Sequence, residues 1–170
     1  MQNALSRPDL GLFYLHLSEV PLVLRHTLVA LVLTLGLAPL SARAETPIFS
    51  AHDGLALDGY DVVAFFEGQG AVLGRQEFAL MWKGVWWRFS SAGHQAQVEA
   101  NPRAYAPVFG GYCAYAVSQG YLAHGDPRLW RIEDGELLLL NNPAVEAVWQ
   151  QEKPELLQAA HDNWPAVLRH

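Results

Sequence analysis

Trp130-Arg131-Ile132-Glu133-Asp134-Gly135-Glu136-Leu137-Leu138-Leu139-Leu140 is the stretch whose reading decides the fold of this chain. Asp-Gly supplies the two positive φ angles of a type I′ turn, so the apolar residues on either side are expected to fold back as antiparallel strands. A second hairpin is predicted upstream, where Phe78, Leu80 and Trp82 alternate before Lys83-Gly84, and Val85-Trp86-Trp87-Arg88-Phe89 follows. Ahead of it, the β-rich run from Val62 to Phe66 ends at Glu67-Gly68-Gln69-Gly70 and predicts a further strand.

Helical signals lie between and after these hairpins. Ser90 and Ser91 offer N-caps for a helix running toward Ala100, and Asn101-Pro102 ends it because proline pushes its predecessor out of the helical region. Asn142-Pro143 supplies a cap and a first helical residue, with Val145, Val148 and Trp149 on one face. Pro154 opens another helix carrying Leu156, Leu157, Ala160 and Trp164, and Pro165 closes it. Between Gly110 and Gly120, small residues alternate with aromatics without a clean period. The expected fold class is therefore α+β, a small antiparallel sheet of hairpins with helices packed on it.

The chain has 170 residues, 51% apolar and 16% charged, which suits one well-buried domain. Eleven Lys and Arg against 17 Asp and Glu, with no basic patch, exclude a nucleic-acid partner. A single cysteine excludes both a disulfide framework and a zinc site built from several thiolates. All six Trp lie beyond residue 44 and predict one aromatic-rich core.

Residues 1–44 read as an export signal. Arg25 and His26 precede the apolar run 27–40, and Ala42-Arg43-Ala44 is an Ala-x-Ala cleavage pattern. The apolar run falls short of the roughly 20 residues of a membrane span. Cleavage after Ala44 would release residues 45–170 as a single domain, periplasmic or secreted, with no membrane anchor. The lead-in before residue 25 is over-long for such a signal and points to a start near Val20 or Leu22.

Gly59-Tyr60-Asp61-Val62-Val63-Ala64-Phe65-Phe66, Arg88-Phe89-Ser90-Ser91-Ala92, Asn101-Pro102-Arg103-Ala104-Tyr105-Ala106-Pro107 and residues 110–120 together resemble the YHS domain family, and specifically its exported, stand-alone branch. The resemblance continues through Gly125-Asp126-Pro127, Trp130, Asp134-Gly135, Trp149 and Asn163-Trp164-Pro165. It implies a YHS-like fold and metal handling. Shorter YHS modules carry Cys at the positions matching Ala64, Ser90 and His94, so the thiolate ligands that the resemblance implies are absent here. A hydroxyl is a poor replacement, and the site has lost its softness.

Three residues remain as candidate metal ligands: Cys113, His94 and His124. An unpaired thiol in an oxidising compartment is retained when it is buried, metal-bound or reactive. Sulfur with imidazole selects copper or zinc, which makes an exported metal-binding protein using Cys113 with His94 or His124 the leading expectation. Two alternatives stand beside it. One is a thiol-dependent redox enzyme with Cys113 as nucleophile; the other is a non-catalytic module that docks through its aromatic face. A small molecule is a further partner class. Packing roles compete at each position: a helix-start residue for His94, a loop residue for His124 and a space-filling core residue for Cys113. Tyr60, Tyr112, Tyr115 and Tyr121 either line a pocket or reach backbone acceptors, while Asp61 either caps a turn or forms an acid and base pair with His94. Trp82, Trp86 and Trp87 are expected to lie beneath the C-terminal helices.

Overall fold

The computed structural model describes residues 46–169, so the expected export signal lies outside the described residues. Strands β1 (Ala51–His52) and β2 (Leu55–Ala56) turn at Asp53-Gly54, while β3 (Arg75–Trp82) and β4 (Val85–Phe89) turn at Lys83-Gly84. Leu55 lies parallel opposite Trp86, which joins the two hairpins into a mixed four-stranded sheet of order β1-β2-β4-β3. The second sheet is the predicted hairpin, β5 (Asp126–Glu133) and β6 (Glu136–Leu140), with Asp134 and Gly135 at φ 50° and 84°. Both central residues thus take the left-handed conformation that the Asp-Gly reading requires.

Among the described residues six α-helices complete the α+β architecture: α1 (Val62–Phe66), α2 (Ala92–Ala100), α3 (Pro102–Tyr105), α4 (Ala114–Ser118), α5 (Pro143–Gln151) and α6 (Lys153–Asn163). Ser91 accepts from the His94 amide to cap α2, and Asn142 accepts from the Val145 amide to cap α5. None of the described helices is long and apolar enough to cross a membrane.

One expected strand is a helix. Val62–Phe66 forms α1, despite its β-branched and aromatic composition, because both ends are capped. The Asp61 side chain accepts from the Val63 amide at the N-terminus. At the other end Gln69 N donates to Ala64 O and Gly68 N to Phe65 O, a Schellman closure with Gly68 at φ 73°. Residues 62–65 are then buried on every side, so packing overrides the weak local preference for a strand.

The four consecutive leucines of β6 organise the interior. Leu137 and Leu139 face a cluster with Phe49, Val62, Phe65, Trp87 and Phe89, whereas Leu138 and Leu140 face a second cluster with Phe109, Cys113, Val117, Trp149 and Leu156. Side chains alternate across a strand, so an uninterrupted apolar run is what a strand covered on both faces requires. Burial stabilises by about 1.5–3 kcal/mol per leucine. The single aromatic core expected from composition is thus two clusters divided by β6.

The tryptophans of the β3–β4 hairpin do not lie beneath the C-terminal helices. Trp87 is buried in the first cluster, edge-on to Phe49 at a centroid distance of 5.0 Å, with Trp82 5.7 Å away. The C-terminal helices instead contribute Trp149, Leu156 and Ala160 to the second cluster. Trp86 is exposed and stands cross-strand from the exposed Met81.

Candidate functional site

Asp61 is the only fully buried carboxylate among the described residues, and its oxygens are saturated with donors. Oδ1 accepts from Val63 N at 3.0 Å. Oδ2 accepts from Ser90 N at 2.7 Å, from Ser90 Oγ at 2.6 Å and from His94 Nδ1 at 2.6 Å. A buried charge persists when it is supplied with charge-assisted hydrogen bonds of this kind. The acid and base pair left open by sequence spacing is therefore formed.

His94 sits in the first turn of α2, with 13% of its side chain exposed. Asp61 accepts the hydrogen bond from Nδ1–H, which leaves Nε2 facing outward, 3.3 Å from Glu67 Oε2. Asp61 is the N-cap of α1 and Glu67 its C-cap, so one imidazole spans both ends of the same short helix. Glu67 is 39% exposed and also accepts from Gln69 Nε2 at 2.6 Å. Sequence reading took Glu67 as the end of a strand and missed its role. The usable signal was the Asp and Gly-flanked Glu bracketing five apolar residues, the signature of a doubly capped helical turn.

Two of the positions at which the YHS resemblance places thiolates gain no ligand from this arrangement. Ala64 has no donor atom. Ser90 donates its hydroxyl hydrogen bond to Asp61 and lies 3.3 Å from His94 Nδ1, on the wrong side of the ring to be activated by Nε2. That geometry does not present Ser90 as a nucleophile for His94 Nε2.

His124 has both ring nitrogens engaged. Nδ1 lies 2.6 Å from Ser50 Oγ and Nε2 lies 2.8 Å from Asp58 Oδ1, so the imidazole ties the start of the first hairpin to the turn at residues 57–59. Neither Ser50 nor Asp58 was singled out from sequence, since each lies more than 60 positions from His124.

Cys113 is completely buried in the second cluster, where its backbone N donates to Ala123 O and its residue bridges to Leu139. Burial pushes the thiol above its ordinary range, while the amides of Ala116, Tyr115 and Asn141 pull in the opposite direction without reversing the shift. The structure brings neither His94 nor His124 together with this sulfur in a ligand set; among the described residues, no three His, Cys, Asp or Glu side chains are grouped to hold a metal ion. Of the tyrosines, Tyr112 donates to Pro47 O at 2.8 Å, the backbone-directed role, and Tyr121 is exposed.

No family model, curated protein or solved structure matches this chain.

Proposed function

We propose that this is an exported, YHS-type protein that binds a borderline transition metal ion, copper(II) or zinc, through His94 Nε2 and the Glu67 carboxylate, with water completing the coordination. The observation that carries this reading is the 3.3 Å separation of His94 Nε2 and Glu67 Oε2. A tetrahedral zinc ion with bonds of ~2.0–2.1 Å has a ligand-to-ligand edge of about 3.3–3.4 Å, whereas adjacent ligands of a square-planar copper(II) ion are about 2.8–3.0 Å apart, so the separation fits zinc as it stands. Asp61 supports the same reading from behind, because a carboxylate on Nδ1 fixes the tautomer, aims the ring and raises the basicity of Nε2. An N and O donor pair suits copper(II) or zinc better than copper(I), which prefers sulfur. Cys113 takes no part: its sulfur is buried and held in the protonated form.

The test is calorimetric titration of residues 45–170 with Cu(II) and Zn(II), with parallel electron paramagnetic resonance for copper. Binding of one ion per chain, lost in His94→Ala, weakened in Glu67→Gln and retained in Cys113→Ala, is the expected pattern. Loss in Cys113→Ala with full retention in His94→Ala would restore the thiol as the ligand and remove the imidazole.

A further inference from the structure

A cleft of about 440 Å³ is lined by residues of both hydrophobic clusters and of two hairpin turns, and it shares no residue with the Asp61, His94 and Glu67 site. Phe49 and Trp82 come from one cluster, and Val108 and Trp164 from the other. These walls are braced from behind. Trp82 packs on Phe49 at 5.1 Å, and Trp164 packs on Phe109 at 6.1 Å and on Tyr112 at 6.2 Å. A preformed, largely apolar recess of this size with a few polar groups fits a small organic ligand.

Charge narrows the class. Lys83, in the β3–β4 turn, and Arg103, on α3, both line the cleft, and neither forms an ion pair with a carboxylate among the described residues. Glu136 is the one acidic residue in the lining, and it lies 3.5 Å from His161 Nε2, outside the cleft. The chain as a whole is acidic, at −6, so two unpartnered cations beside aromatic walls run against its average. We infer that this cleft binds a small aromatic carboxylate, its ring against Trp82 and Trp164 and its anion held by Lys83 and Arg103.

The probe is 2-naphthoate, followed by tryptophan fluorescence, with uncharged 2-naphthamide as the control of equal shape. Saturable binding of the acid is expected, with the amide bound about 25-fold more weakly, as two exposed charge contacts of about fivefold each imply. Arg103→Gln and Lys83→Asn should each weaken the acid about fivefold and leave the amide unchanged. Asparagine is chosen at position 83 because the native φ of 53° is a conformation it tolerates, so the turn is kept. Absence of saturable naphthoate binding, or equal binding of acid and amide with no response to either substitution, would overturn the inference. Failure of the metal site leaves this result untouched, because the two sites have no residue in common.

Discussion

His94 Nδ1 and Asp61 Oδ2 lie 2.6 Å apart across 33 positions of sequence, and this contact joins the first turn of α2 to the N-cap of α1. Asp61 is wholly enclosed and His94 nearly so, which gives the pair structural weight as well as a proposed role in ligation. Removing the carboxylate strands several buried donors at once, whereas removing the imidazole strands one acceptor that keeps other partners.

Asp61→Ala is therefore expected to destabilise by about 3–5 kcal/mol, because it removes a fully buried carboxylate and leaves the donors of Val63, Ser90 and His94 without their acceptor. His94→Ala should cost about 1–3 kcal/mol. Glu67→Gln, at a more exposed position, should stay within about 0.5 kcal/mol. Urea unfolding at neutral pH measures the order, and a larger loss for Glu67→Gln than for Asp61→Ala would refute the assignment of Asp61 as the buried hub.

Cys113 should resist iodoacetamide in the folded protein at pH 8 and react on unfolding, because its sulfur is enclosed and held protonated. Rapid native-state labelling would contradict the packing described here. Cys113→Ser should be less stable than Cys113→Ala, since an uncompensated hydroxyl in this cluster costs about 1–3 kcal/mol.

Leu138 and Leu139 are adjacent in sequence and face opposite clusters. Each change to alanine should cost about 2–5 kcal/mol. Because the two cavities open in different clusters, the double substitution should be additive within about 0.5 kcal/mol. A coupling energy well above that would show that β6 does not separate two independently packed cores.

Alkaline pH should weaken the fold. Burial raises both Tyr112 and Cys113 above their ordinary values of 10.0 and 9.0. Each neutral group thus stabilises fully below its ordinary value, and the contribution is lost as pH rises through the higher folded-state value. Tyr112→Phe, which also lacks the donation to Pro47, should be less stable at pH 8 and decline less steeply toward pH 11. An identical alkaline slope would assign the loss to other groups.

Acid acts through a different residue. Hydrogen bonding from Arg128 holds the Asp126 carboxyl below its ordinary value of 3.8. Its contribution is present above that value and disappears as pH falls through the lower folded-state one. Arg128→Gln should flatten this part of the acid unfolding curve, and no change in its shape would exclude the pair as a contributor.

Local chemistry was sufficient for much of the architecture. The Asp134-Gly135 hairpin, the Ser91 cap of α2 and the Asn142-Pro143 start of α5 each rest on interactions within a few residues, and such signals can be read from a chain in order. Cys113 shows the limit of that reading. Its residue type left burial, ligation and reactivity open, and only the packing of α4, β6 and α6 around it enclosed the sulfur.

The sequence by itself determined where the β3–β4 and β5–β6 hairpins turn and where α2, α5 and α6 start, because steric and capping preferences act over three or four neighbouring residues. It did not determine that Val62–Phe66 would coil into α1, that β6 would be covered on both faces, or that His94 would lie between Asp61 and Glu67. Those outcomes depend on burial summed over segments far apart in the chain. That sum exceeds the weak local preference of any one segment, so it becomes visible only when the chain is folded.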